Sequence, residues 1–224
     1  MKINKVYFYF LFLFIGTSLL GCKKEPTEEP TPQIQRGDII RSNKISALTV
    51  NGINLGLINS GSTTSLTPIY DVDMIKLEYY TIDENGAPTV ASGSLFIPAS
   101  AGTYPMLSYH HGTLVKRSNA PSSLGPFSSE GMAGALGASI GFVSCLPDYL
   151  GLGESKKVHP YLLSSLSAST SIDMLIAGKN YCQEQGITLT NDLFICGYSE
   201  GGFVTMATQI MLEASYGAQF NMQA

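Results

Sequence analysis

The stretch Gly197-Tyr198-Ser199-Glu200-Gly201-Gly202 constrains this chain more than any other. Residues 191–196 before it read as a short buried strand. Residues 203–212 after it read as a buried helix. A serine between glycines at a strand-to-helix turn is a nucleophile elbow. The turn strains the serine backbone and needs small neighbours to close. It also pushes the hydroxyl clear of the sheet, beside a helix N-terminus. Context separates this match from a second one, Gly137-Ala138-Ser139-Ile140-Gly141. That one follows a helical stretch and precedes a strand over 142–146, so Ser139 is read as structural and Ser199 as the nucleophile.

Acyl transfer by an activated serine also needs a base, an acid that orients the base, and donors for the oxyanion. The backbone N–H of Glu200 opens the helix, where the first N–H groups have no intrahelical acceptor and the dipole favours negative charge. A second donor is expected from the loop after the third strand, which begins His110-His111-Gly112-Thr113. Gly112 lets the backbone turn toward the site, and the N–H of Thr113 is the expected donor. The side chain of Glu200 has two readings: a helix-start carboxylate favoured by the dipole, or a group that tunes pH dependence or touches substrate. His110 and His111 are read as hydrogen-bonding residues that shape the loop, and His159 as a loop residue. Asp192 is expected ahead of its strand, at the end away from the elbow, and Asp173 within a helix. Neither is placed to orient a catalytic histidine. In elbow hydrolases the acid and the histidine follow the serine, and no histidine follows Ser199. The expectation is therefore the front part of a serine hydrolase, truncated before the sixth strand and inactive as it stands, with the triad Asp and His beyond residue 224.

The N-terminus reads as targeting rather than fold. Lys2 and Lys5 precede an apolar run over 6–15, too short to span a membrane. Leu19-Leu20-Gly21-Cys22 then has the form of a bacterial lipobox, with residues 1–21 removed and Cys22 lipidated. Acyl chains add about 0.8 kcal/mol of membrane affinity per buried CH₂. Residues 22–37 are proline- and glutamate-rich and read as a flexible tether, and 38–224 as the domain. The expected location is a bacterial membrane lipoprotein of the cell envelope. Net charge is −4 with 13 % charged residues and no basic cluster, which argues against nucleic acid. Cys145, Cys182 and Cys196 read as buried unpaired thiols, and no Cys or His spacing suggests a metal.

Along the domain, residues 38–69 read as weak strands or an embellishment. Patterns over 71–82 and 89–98 flank Asp83-Glu84-Asn85-Gly86, a hairpin signal. Strands over 104–110, 142–146 and 191–196 then alternate with helices over 129–139, 164–185 and 203–212. Lys179 lies on the apolar face of the second of these helices and is expected to snorkel. This order predicts an α/β fold with a mostly parallel sheet and helices on both faces.

Four blocks together resemble the secretory lipase family of the α/β-hydrolase superfamily. They are Ser108-Tyr109-His110-His111-Gly112-Thr113, Pro147-Asp148-Tyr149-Leu150-Gly151-Leu152-Gly153-Glu154-Ser155, His159-Pro160-Tyr161-Leu162 and the elbow itself. The resemblance covers about residues 70–224, and the second block is its most specific part. It implies the α/β-hydrolase fold and a carboxylic ester hydrolase that uses Ser, Asp and His without a cofactor. The substrate would be a small-molecule or lipid ester, under a lid inserted after the sixth strand. By the same resemblance Asp148 ends the fourth strand and ties down neighbouring loops. His111, Gly112, Asp148, Gly197 and Gly201 then support the site. Two other functions fit parts of the pattern. One is a serine peptidase of the prolyl-oligopeptidase type, for which no propeller repeat is present. The other is a catalytically incomplete lipoprotein with a binding role.

Overall fold

The computed structural model describes residues 33–223. Its strands form one seven-stranded sheet in the order β1-β2-β3-β5-β4-β6-β7. The strands are β1 (Ile39–Leu48), β2 (Val72–Ile82), β3 (Pro88–Pro98), β4 (Thr103–His110), β5 (Val143–Pro147), β6 (Thr188–Gly197) and β7 (Asn221–Met222). The first three pair antiparallel in succession, and β3 pairs antiparallel with β5. Strands β5, β4, β6 and β7 pair parallel. The sheet is therefore mixed, half antiparallel and half parallel, rather than mostly parallel. The long hairpin and the extra strand β1 make the difference. Helices do lie on both faces. Met74, Phe96 and Leu146 pack with α1 (Val50–Asn59) and α3 (Ser129–Ser139) on one side. Ile75, Leu77, Tyr79, Leu95 and Cys145 pack with α4 (Ser164–Glu184) and α5 (Glu200–Ser215) on the other. Neighbours such as Met74 and Ile75 belong to opposite cores because strand side chains alternate faces.

Each boundary has a local cause. In the β2–β3 turn the carboxylate of Asp83 accepts from the N–H groups of Asn85 and Ala87, and Gly86 takes φ 76°. Ser128 caps α3 by accepting from Gly131 N. Gly186, at φ 71°, ends α4. Residues 50–59 form a helix rather than a weak strand. The Thr49 side chain caps it, and Ile53 and Leu57, one turn apart, are buried on one face. Between Lys116 and Gly125 lie a 3-10 turn (Arg117–Asn119) and a short helix, α2 (Pro121–Leu124).

Strand β6 starts at Thr188, so Asp192 lies within the strand, opposite Asn221, and not ahead of it. Only Leu193 of residues 191–196 is buried, and Cys196 is exposed, unlike Cys145 and Cys182. Among the described residues β7 pairs with β6 only at Asp192 and Leu193. All three thiols are free. Lys179 donates to Gln219 O and lies 4.8 Å over the Phe220 ring. Cys22 and the apolar run over 6–15 lie outside the described residues. Among the described residues no helix is long and apolar enough to cross a membrane.

Asp173 on α4 is fully buried and accepts from the Arg36 guanidinium and the Thr81 hydroxyl. Gly37 N donates to Tyr80 O, so Arg36 and Gly37 are held against β2 and α4. Burial pushes the Asp173 carboxyl above its usual range, and Thr81 and Arg36 pull against that shift. Removing the guanidinium should raise it further. Arg36→Ala is expected to cost about 1.5–3 kcal/mol at pH 7, the worth of a hydrogen bond to a charged group. The ionised form carries this penalty. The deficit in urea midpoint should therefore be full at neutral pH and shrink as pH falls through the folded-state pKa. A deficit that stays constant as pH is lowered from 7 to the acid end of the range in which the protein folds would contradict this account.

Candidate active site

Ser199 joins β6 to α5 with φ 56° and ψ −123°, a backbone conformation that L-residues rarely adopt. Its side chain is exposed, and Oγ has no hydrogen-bond partner among the described residues. The flanking glycines differ in need. A Cβ on Gly197 would lie 2.5 Å from Gly201 O and 2.7 Å from Thr205 Oγ1. A Cβ on Gly201 would run into the carbonyl of His110 and come within 2.7 Å of His111 O. Helix α5 thus starts in direct backbone contact with the end of β4, whose His110 lies in register with Gly197. Gly202 faces open space, with only Gly197 O within 3.9 Å. The N–H groups of Glu200 and Thr113, the two expected oxyanion donors, have no acceptor among the described residues.

The three histidines are fully engaged. His110 is buried, with Nδ1 2.8 Å from Thr205 Oγ1 and Nε2 3.0 Å from Ser108 Oγ. The Thr205 hydroxyl donates to Gly201 O. It must therefore accept from His110, which places the proton on Nδ1 and leaves Nε2 to accept from Ser108. Burial, with His111 beside it, pushes the His110 pKa down to about 3. His110 is a neutral linker between β4 and α5. His111 is buried, with Nδ1 2.7 Å from Gly112 O and Nε2 3.2 Å from Asp148 O. His159 has Nδ1 2.8 Å from Leu150 O and Nε2 2.8 Å from Glu200 Oε1. No ring nitrogen is left for Ser199. None of the chain's own histidines is therefore set up as its base.

Asp148, just past β5, is fully buried. Its Oδ2 accepts from the hydroxyls of Ser92 and Ser122, both at 2.5 Å, and its Oδ1 accepts from Ser122 N at 3.0 Å. Ser92 Oγ in turn accepts from Glu154 N. One carboxylate thus fastens β3, α2 and the loop at 148–155 together. Gly153, at φ 54°, leaves no room for a Cβ beside Asp148 and Ser92. Tyr149 stacks on His111 with ring centroids 4.1 Å apart, and its hydroxyl donates to His111 O. Gly112 sits against the Tyr198 ring, where a Cβ would be 2.8 Å from ring carbons. The Tyr198 hydroxyl donates to the buried carboxylate of Glu130. This bond, first, and burial, second, push the Tyr198 pKa up.

The structure brings Ser199, Glu200, Gly197 and Gly201 together with His110, His111 and Gly112. Ser139 lies apart, buried at the end of α3 with its hydroxyl on Leu136 O. The contacts of Tyr149, Tyr198 with Glu130, and His159 with Glu200 were not anticipated. The Tyr-Leu-Gly-Leu-Gly run and the His-Pro pair are their only sequence signal, and neither indicates a partner. No group of acidic, Cys and His side chains among the described residues could hold a metal ion.

No family model matches the sequence, and no curated protein matches it. Solved structures do. A putative hydrolase from Legionella pneumophila is 32 % identical, with a TM-score of 0.75 over 81 % of this chain and 49 % of that one. A ligand-bound form of the rice cell wall degrading esterase LipA from Xanthomonas oryzae is 32 % identical, with a TM-score of 0.77 over 84 % and 49 %. Candida antarctica lipase A in its closed state is 17 % identical, with a TM-score of 0.57 over 84 % and 41 %, a likeness of fold. The chain spans about half the length of the solved structures it matches.

The two adjacent glycines of the elbow predict opposite outcomes. Gly201→Ala should be lost to overpacking, at or above the upper end of the usual range of about 1–3 kcal/mol. Gly202→Ala, in the first turn of α5 and with open space around it, should keep the wild-type melting temperature or exceed it. Equal thermal midpoints for the two variants would refute the close approach of α5 to β4.

Proposed function

We propose, for a chain that carries the fold of the secretory-lipase-like α/β hydrolases, that the protein cleaves carboxylic esters through an acyl-enzyme on Ser199. The observation that supports this reading is the strained, exposed serine at the start of α5, where Gly201 lies against the carbonyls of His110 and His111. Ser199 Oγ attacks the ester carbonyl carbon. The negative charge that develops on the carbonyl oxygen is taken by the N–H groups of Glu200 and Thr113, and the alcohol leaves. Water then attacks the acyl-serine and releases the acid. Losing one such donor typically costs about 2.7–4 kcal/mol of barrier. The proton of Ser199 needs a base. Since His110, His111 and His159 are engaged elsewhere, we assign the base and its orienting carboxylate to a His and an Asp beyond residue 224. Asp148, with His111, Gly112, Gly197 and Gly201, supports the site. The substrate class is a small-molecule or lipid ester, in keeping with the named esterase and lipase among the similar structures.

In the full-length protein, Ser199→Ala should lower turnover of p-nitrophenyl esters on the order of 10⁶-fold and abolish labelling by a fluorophosphonate probe. Undiminished labelling, or labelling mapped to Ser139, would overturn the assignment.

We also place the protein at a bacterial membrane through a lipid on Cys22, on the strength of Leu19-Leu20-Gly21-Cys22 behind a basic, then apolar, run. Cys22→Ser should move the protein from the membrane to the soluble fraction and change its mature N-terminus. Unchanged fractionation with an unchanged N-terminus would rule the lipoprotein reading out.

A further inference from the structure

Glu200 poses a problem for the chemistry just described. It is the first residue of α5 and its side chain is fully excluded from solvent. The N–H of this same residue would hold a developing oxyanion. A bare carboxylate fixed there would oppose that charge through a poorly screened medium. Its only hydrogen-bond partner among the described residues is His159; Oε2 has none, and no Lys or Arg among them forms an ion pair with it.

The hydrogen bonds of His159 fix the proton count of the pair. Leu150 O has no proton to give, so Nδ1 carries a hydrogen and donates to it. The 2.8 Å contact between Nε2 and Glu200 Oε1 then needs a second proton, whichever of the two atoms holds it. In either arrangement the two side chains hold one proton more than a neutral imidazole beside a carboxylate. The net charge of the pair is zero.

Stacking ties this pair to the rest of the site. The His159 ring lies nearly parallel to Tyr149, at 11° and 6.2 Å, and Tyr149 stacks on His111 and donates to its carbonyl. On the other side Tyr161 meets His159 edge-on, at 6.2 Å. One aromatic stack thus runs from the neutralised carboxylate to the loop that carries Thr113.

We propose that His159 is a positioning residue for the ester cleavage assigned to Ser199. It shares with Glu200 the one proton that leaves the pair without net charge, so that negative charge can develop at the oxyanion site beside it. His159 takes no proton from Ser199, since both its nitrogens are in use. The inference rests on Ser199 being the nucleophile.

The test is a double-mutant cycle in the full-length protein, with kcat and KM for p-nitrophenyl acetate, a neutral ester. His159→Gln in the wild-type background should lower kcat about 10- to 100-fold and leave KM within about twofold. In the Glu200→Gln background, where the charge is gone, the same substitution should cost less than about threefold. Equal losses in the two backgrounds would mean that His159 acts by packing alone and would overturn the proposal. So would a His159→Gln enzyme with wild-type kcat. Should the single variant fail to fold, the comparison of His159→Gln/Glu200→Gln with Glu200→Gln still decides, because a tenfold loss there contradicts charge neutralisation. Ser199→Ala, assayed alongside, separates the two readings. Turnover in that variant overturns the nucleophile and this proposal with it. An inactive Ser199→Ala with an unrescued His159→Gln overturns this proposal alone.

Discussion

The site depends on one backbone-to-backbone contact, where Gly201 lies against the carbonyls of His110 and His111. It sets how near the start of α5 comes to the turn after β4. The two N–H groups assigned to the oxyanion sit on opposite sides of that junction. Much of the surrounding polar structure holds it closed. Ser108, His110, Thr205 and Gly201 O form an unbroken hydrogen-bond relay across it. Tyr149 pins the loop from above through His111 O. Each neutral bond of this kind contributes about 0.5–1.5 kcal/mol. Three or four of them match the cost of about 1–3 kcal/mol for holding Ser199 in its unfavourable backbone conformation.

Asp148 shows how a buried carboxylate is tolerated with no cation paired to it among the described residues. Two hydroxyls and one backbone N–H converge on its carboxylate, which replaces lost water with fixed donors. Those donors come from β3 and α2, so the bonds that solvate the charge also join three segments far apart in sequence. Glu200 solves the same problem differently. Among the described residues it has one hydrogen-bond partner, His159, and one oxygen without any, in place of a ring of donors.

What could be read in the sequence was local. Ser199 with its glycines, Gly112, the β2–β3 turn at Asp83 and Gly86, and the cap at Ser128 all follow from neighbours within a few residues. Tertiary pairs could not be read. Arg36 lies 137 residues from Asp173, and His159 lies 41 from Glu200. No periodicity marks either partner. Residues 50–59 were obscured by Gly52 and Gly56, which weaken a helix pattern, although Thr49 offered a cap. The Met132 side chain of α3 lies against Gly56, a fact of packing that no local pattern carries. The position of Asp192 within its strand depends on where β6 begins. Apolar composition alone suggested a buried strand there.

The backbone at residue 199 also bears on how such a protein drifts over generations. At φ 56° and ψ −123° only glycine rests without strain. Replacement of Ser199 by glycine would therefore remove the hydroxyl and relax the turn in one step. The most damaging change for the proposed chemistry is at the same time a stabilising one for the fold. A lineage released from the need to cleave esters would be expected to lose its nucleophile early, while the sheet, the relay through His110 and the Asp148 junction persist.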